Sequence, residues 1–345
     1  MYHFQESCGV NGLHEILPYW QGLSRRVHVS RFYQRWQWYN AILHYLFDQD
    51  DTIRFLVVSK DGTPVPIFPY TIRKEKSCGI VLRVLGFPSH PHLPLCDALI
   101  DPAAENFFPS LVDYLRQRVD IKWDVIRLTR LLEGDCVLRH AGLCRDTSLV
   151  CEKVSSSAYM RCDRKAPHTE YLSAKFRRNI KRLSNRASRR GIISFKYVRN
   201  QENLQAAFEE FLKVEAAGWK GEQGTESAIV LDSSLIGFYR YIVDSFGSTK
   251  ECRINRMFID ARCIAAQLCI ICDRIIYIIK IGYDEEYKDI APGSLLMNDL
   301  IHRCTYDVNI DGISLVTCPL WAERWHVDKI GVFSSAIPGQ LSVSA

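Results

Sequence analysis

The chain has 345 residues, with 44 Lys and Arg against 39 Asp and Glu for a net charge of +5; 47% of residues are apolar and 24% charged. This globular balance excludes a disordered, collagen-like or coiled-coil chain, and the length suits two domains that each bury a core. No apolar run approaches the ~18 residues that cross a bilayer, and the start MYHFQESCGVNGLHEILPYW lacks the pattern of an export signal, so a cytoplasmic protein is expected.

In chain order, hydrophobic periodicity predicts a helix over Trp36–Phe47 and a strand over Ile53–Ser59. A turn at Asp61-Gly62 leads to strands over Pro64–Arg73 and Ile80–Gly86. A short strand near Asp97–Ile100, a helix from about Ala104 to Arg118 and a strand over Asp124–Leu131 follow. From Lys175 to Arg190 the chain reads KFRRNIKRLSNRASRR, with eight cations and no acid. Phe176, Ile180, Leu183 and Ala187 form one apolar helical stripe there, and Gly191 supplies a stop. The basic face reads as a solvated surface or as a site for phosphate or another polyanion. A helix with the sequence NLQAAFEEFLKVEAAGW comes next, then a helix over Leu235–Phe246. Strands follow over Cys252–Ile259, Cys263–Cys272 and Ile275–Tyr283, then a helix over Ser294–Asp307 and a strand over Ile313–Cys318.

The order helix, three antiparallel strands, helix, strand therefore occurs twice. VVSKDGTPVPIFPY at 57–70 overlays MFIDARCIAAQLCI at 257–270 without a gap, and DVIRLTRL at 124 overlays GISLVTCP at 312. This predicts an α+β module used in tandem, with mostly antiparallel sheets flanked by helices. The expected division is a first domain over 1–155, a linker with the basic helix over 156–200, and a second domain over 201–345.

Thirteen scattered cysteines without an export signal read as reduced thiols. The close pair Cys269 and Cys272 lies in a strand-like run and has no second pair to complete a zinc ribbon, so no metal is expected. His90, His92, Cys96 and Asp97 lie in a loop with prolines at 88, 91 and 94 and match no ligand spacing. His92 and Asp97 are instead candidates to line an acceptor cleft, with structural packing as the alternative.

The segment IIYIIKIGYDEEYKDIAPGSLL at 275–296 carries the strongest chemical signal. A β-branched strand runs into a loop and a helix opening with Pro292-Gly293-Ser294. Helix starts expose N–H groups and a positive dipole end, which suit a pyrophosphate. Gly293 permits close approach to the backbone, and the Ser294 hydroxyl can cap or donate. Lys280 in mid-strand and Asp284 and Glu285 at its end place charges near this loop.

These residues make the chain resemble the bacterial acyltransferases of the CelD type, found in exopolysaccharide and cellulose biosynthesis contexts and part of the GNAT (Gcn5-related N-acetyltransferase) superfamily. The resemblance rests on FRRNIKRLSNRASRRG at 176–191, VEAAGWKGEQGT at 214–225 and IKIGYDEEYKDIAPGSLL at 279–296. Cys318 with LWAER at 320–324 adds to it, as do Phe32 with Trp36, IFPY at 67–70 and LGFPSHPHLPLCDALI at 85–100. Ala291 stands where the family usually has Ser, and the spacing from Cys318 to Trp321 is short for the family.

The resemblance implies two tandem GNAT-like domains, the second carrying the donor site. It implies acyl-CoA (acetyl-CoA or longer) as co-substrate, lying in a split between two central strands. Ala291, Pro292, Gly293, Ser294 and Leu295 would hold the pyrophosphate, and the backbone at Ile281 and Gly282 would polarise the thioester. Glu215 is the first choice for the base that deprotonates the acceptor amine and Asp284 the second. Tyr283 is the candidate acid, Lys280 could steady negative charge, and Trp219 and Lys220 would meet the substrate. The acceptor would be an amine of a small polar metabolite or amino sugar, with acyl carrier protein as a further donor. Transfer from aminoacyl-tRNA, as in the tandem-GNAT enzymes of the Fem type, is the alternative, and a degenerate GNAT pair acting only by binding is another. Nucleic acid is otherwise not expected, since aromatics do not interleave with the basic run. The helix at 175–190 is a candidate for peripheral membrane contact.

Overall fold

The structure is a computed structural model. It describes residues 2–339 apart from 28–30, 48–52, 78, 102–103, 105–106, 143–149, 164–167, 219–220 and 222–223. The chain divides into two compact units, residues 1–156 with 330–345, and residues 157–329.

In chain order the first unit contains β1 (Tyr2–Cys8), α1 (Gly9–Glu15), α2 (Leu17–Arg26), α3 (Trp36–Tyr45), β2 (Arg54–Lys60), β3 (Thr63–Ser77) and β4 (Ile80–Gly86). It continues with β5 (Leu99–Ile100), α4 (Phe107–Gln117), β6 (Val125–Leu132) and α5 (Cys136–Gly142). The strand β7 (Val150–Arg161) leads into the second unit. There α6 (Ala174–Ser188), β8 (Ile193–Val198), α7 (Gln201–Ala216), α8 (Ser233–Ser248), β9 (Cys252–Ile259), β10 (Arg262–Cys272), β11 (Ile275–Tyr283), α9 (Pro292–Tyr306) and β12 (Gly312–Ser314) follow. The last strand, β13 (Asp328–Pro338), pairs antiparallel with β6 through Val332–Pro338 and so completes the first unit.

The repeated order read from the sequence has a repeated topology. In the first unit β2, β3 and β4 are consecutive antiparallel neighbours, and β4 then pairs parallel with β6 across α4. In the second, β9, β10 and β11 are consecutive antiparallel neighbours, and β11 pairs parallel with β12 across α9. Each first hairpin turns on an aspartate in the left-handed region, Asp61 (φ 51°) and Asp260 (φ 52°). Short polar side chains tolerate that conformation best after glycine.

The first unit packs buried aromatics, among them Trp20, Phe32, Tyr33, Tyr39 and Phe55, against its sheet. The core of the second unit joins the β9–β11 face to α9 and to the stripe of α6, with Ile180, Leu183 and Ala187 buried and Phe176 partly so. The linker expected at 156–200 is therefore not a linker. Burial of that stripe, worth roughly 1.5–3 kcal/mol for each large aliphatic side chain, makes α6 part of the second unit. Ser173 caps it, accepting from the Phe176 N–H at 3.2 Å. No helix among the described residues is long and apolar enough to cross a membrane.

Candidate functional site

The second unit opens where β11 and β12 part. They pair only from Ile275 to Tyr277 opposite Gly312 to Ser314. Beyond that point each strand stays with its other neighbour. β11 follows β10 as far as Tyr283 opposite Ala265. The chain after β12 follows β7 instead: the Leu315 N–H donates to the Ala158 carbonyl at 2.9 Å and the Ala158 N–H to the Thr317 carbonyl at 3.0 Å. The register between β10 and β11 slips between Leu268 and Cys269, leaving Ile279 as an extra residue just past the last β12 contact. Such a bulge bends its strand and increases the local twist. The result is a gap in which alternate backbone groups of β11 have no β12 partner.

A cavity of about 260 Å³ lies along this unpaired stretch of β11. One wall is the open stretch Ile281, Gly282 and Tyr283, and another is the start of α9 at Ala291, Pro292, Gly293 and Ser294. Trp321 and Trp325 close it from the 3₁₀ segment Leu320–Trp325, and Lys288 and Gln267 also line it.

The start of α9 is built under strain. Ala291 holds φ 48° and ψ 60°, a left-handed conformation that costs an alanine about 1–2 kcal/mol. It ends the 3₁₀ segment Glu285–Ile290 and begins α9 at once. Pro292 at the first helical position has no N–H to satisfy. The Ser294 and Leu295 N–H groups turn back to the Ala291 carbonyl at 2.9 and 3.2 Å. The Gly293 N–H has no backbone acceptor among the described residues. A Cβ added at Gly293 would meet only Tyr283 Cδ1, at 3.9 Å, so the backbone there faces open space. A 15-residue helix thus points its positive end into the cavity, with Lys288 adding a full charge. The site suits a phosphorylated ligand with an elongated apolar arm.

The structure gathers the sequence candidates Ile281, Gly282, Tyr283, Ala291, Pro292, Gly293 and Ser294 around this cavity. Burial, with a hydrogen bond to Glu285 adding to it, raises the Tyr283 phenol above its ordinary value, so it keeps its proton at neutral pH. Other candidates have different tasks. Leu295 is buried in the core rather than in the wall. Asp284 caps the 3₁₀ segment, accepting from the Glu286 N–H at 3.1 Å, and pairs with Arg262 at 2.6 Å. Lys280 lies over the Tyr239 ring at 5.5 Å on α8, outside the cavity wall.

Glu215 is 1% exposed on α7 and accepts from the Ile229 N–H at 2.9 Å. It stands behind Gly282, whose absent Cβ would lie 2.6 Å from the Glu215 Cα, and it does not line the cavity. Trp219 and Lys220 lie outside the described residues. In the first unit Asp97 is a buried helix cap, accepting from the Cys136 and Val137 N–H groups at 3.0 Å each and from the Gln34 amide at 2.7 Å. That geometry leaves it no free oxygen for a substrate. His92 stays in the same loop, its ring 5.5 Å from that of His90.

Sequence reasoning missed Lys288, Gln267 and Trp325. Lys288 had a signal, as the cation three residues before Ala291. Trp325 had only its place beside the LWAER motif, and Gln267 had none beyond a polar residue in an apolar strand.

Residues 174–317 match the family model described as acetyltransferase (GNAT) domain. No curated protein matches the chain in sequence. Among solved structures the chain is similar to FemX, at 10% identity and a TM-score of 0.58, covering 92% of this chain and 95% of that one. It is also similar to the C-terminal DUF2156 domain of a protein from Agrobacterium fabrum described as a lysylphosphatidylglycerol synthetase, at 12% identity and a TM-score of 0.56, covering 93% and 92%. A third is L-PGS from Bacillus licheniformis, at 14% identity and a TM-score of 0.52, covering 84% and 85%. These likenesses show a shared fold. The matched segment is an acyltransferase domain of the GNAT type, and the strand gap and helix start described above lie within it.

Proposed function

We propose that the second unit transfers an acyl group from acyl-CoA, acetyl-CoA or longer, to an amine. The observation that carries this reading is the cavity along the end of β11, which ends on the uncovered Gly293 backbone at the start of α9. The Gly293 N–H and the helix dipole would hold the diphosphate, and Lys288 would supply its counter-charge. The open edge of β11 offers N–H groups to an extended, amide-bearing arm and to the thioester carbonyl, where negative charge develops when the amine attacks. As the C–N bond forms and the C–S bond breaks, Tyr283 gives its proton to the departing thiolate. Glu215 and Asp284 already hold backbone N–H groups and a guanidinium, which suits positioning roles. The incoming ammonium loses its proton to water in the groove.

The CelD-type resemblance supports an acceptor that is an amino sugar or another polar amine of exopolysaccharide or cellulose metabolism, with acyl carrier protein as a second donor. Transfer from aminoacyl-tRNA is the second reading. It is favoured by the exposed cations of α6, Lys175, Arg178, Lys181, Arg182 and Arg189, whose face is left uncovered. A thermal-shift series with acetyl-CoA, longer acyl-CoAs and tRNA separates the two. A ligand at 100 times its Kd stabilises by about 2.7 kcal/mol. Stabilisation by the CoA species supports the first reading, by tRNA alone the second. A response to neither leaves only the GNAT-pair architecture.

A further inference from the structure

A second groove lies at the other end of α9, about 15 Å from Gly293 at 1.5 Å per helical residue. It has a volume of about 550 Å³ and is open to solvent between the last turns of α9 and the strands β8 and β9. Its floor holds an uncommon group. Arg253 is 7% exposed, and alternation along β9 puts it on the same face as Asn255 and the core residue Met257. Its Nε donates to the Asn255 Oδ1 at 2.7 Å, and its guanidinium lies 4.4 Å from the centre of the Tyr197 ring. Among the described residues it has no carboxylate partner. A buried cation without an anion is costly, and this one lines a groove.

The surroundings are arranged for an anion. Arg303 covers the same Tyr197 ring at 4.6 Å. Tyr197 donates to Asp299 at 2.5 Å and Arg303 donates to the same carboxylate at 2.7 Å, so Asp299 orients these two side chains and its charge is spent on them. Arg199 is exposed at the rim and donates to the Lys250 carbonyl at 2.8 Å. Asp307 is the opposing carboxylate in the wall, and it accepts from the Asn309 N–H at 2.9 Å. Tyr306, 63% exposed, adds an aromatic side wall.

We propose that this groove binds a phosphate-bearing ligand, held by Arg253 and Arg199, with Tyr306 against its uncharged part. Planar guanidinium groups grip phosphate oxygens two at a time. The proposal is independent of the donor cavity and stands whether or not that cavity takes acyl-CoA.

Calorimetric titration of the full chain tests it, with inorganic phosphate, glucose 6-phosphate and vesicles containing phosphatidic acid as probes. Saturable binding of at least one probe is expected, weakened about tenfold in Arg253→Met and about threefold in Arg199→Ala. Binding of the soluble phosphates assigns a free ligand, and binding of the vesicles alone assigns a lipid headgroup. Arg253→Lys keeps a charge at the end of α9 but loses the fork, so it too should bind more weakly while unfolding at the same temperature. If Arg253→Met does not fold, the exposed Arg199→Ala carries the test. No saturable binding of any probe, or equal affinity in the arginine variants and the wild type, overturns the proposal.

Discussion

Gly282 is the residue at which the cavity wall meets the rest of the second unit. A Cβ there would lie 2.6 Å from the Glu215 Cα and 3.0 Å from its Cβ, so β11 and α7 touch because residue 282 has no side chain. Gly282→Ala should force them apart at a cost of about 1–3 kcal/mol, read as a lower midpoint in urea unfolding. Lys288→Ala should weaken acyl-CoA binding about fivefold, by removing roughly 1 kcal/mol of charge–phosphate attraction, more at low salt than at high salt. Asp97 yields a pH prediction. Burial raises its carboxyl from the ordinary aspartate range to about 6, so the folded chain holds this proton more tightly than the unfolded chain. Its contribution to stability is then fully present below pH 4, falls as the pH rises to about 6, and is level above that. The stability difference between wild type and Asp97→Asn, from urea unfolding at pH 4 to 7, should fall over the same window. At this scale the sequence was partly legible. Pro292-Gly293-Ser294 announced a helix start because those residue types suit no other local role so well. Glu215, Asp97 and Asp284 accept from backbone N–H groups, which their sequence could not announce, because a carboxylate looks alike in sequence whether it meets a substrate or caps an N–H.

Among the elements, α6 shows most clearly how a charge run can mislead. The eight cations of Lys175–Arg190 read as a solvated face or a polyanion site within a linker, yet the apolar stripe docks α6 against α9, and Arg186 and Arg190 both pair with Asp289, at 3.0 and 2.8 Å. Leu183→Ala should cost about 2–4 kcal/mol, whereas Lys181→Ala on the exposed face should stay within about 0.5 kcal/mol; paired urea denaturation curves check both. The strands β9 and β11 were readable to the residue, β11 from its β-branched run and both because turn residues follow or precede them. β8 was not, although Ile193, Phe195 and Tyr197 alternate along it, since it is a short, half-buried edge strand. β7 was missed for a similar reason: its first six residues are exposed or nearly so, and only Ser157, Ala158 and Met160 are buried. β12 is only Gly312–Ser314, shorter than expected, because after Ser314 the chain leaves β11 and stays with β7. That departure, with the bulge at Ile279, makes the cavity, and neither event has a local sequence signal.

At the scale of the whole molecule, the two halves share a topology but differ at the start of the helix after the third strand. The helix that follows the third strand in the first unit, α4, begins with the buried residues Phe107 and Phe108. Its counterpart α9 begins with Pro292-Gly293-Ser294 facing a cavity. The duplication was legible because element order survives when identity does not; the return of β13 to β6 was not, because it depends on pairing residues 200 or more apart in sequence. The account therefore places one donor site in each chain. Isothermal titration of acetyl-CoA into the full chain, in the wild type and in Gly293→Trp, tests this most directly. The account predicts one bound molecule per chain for the wild type and no measurable heat for a folded Gly293→Trp. Undiminished affinity in that variant, or no binding by the wild type, would contradict it.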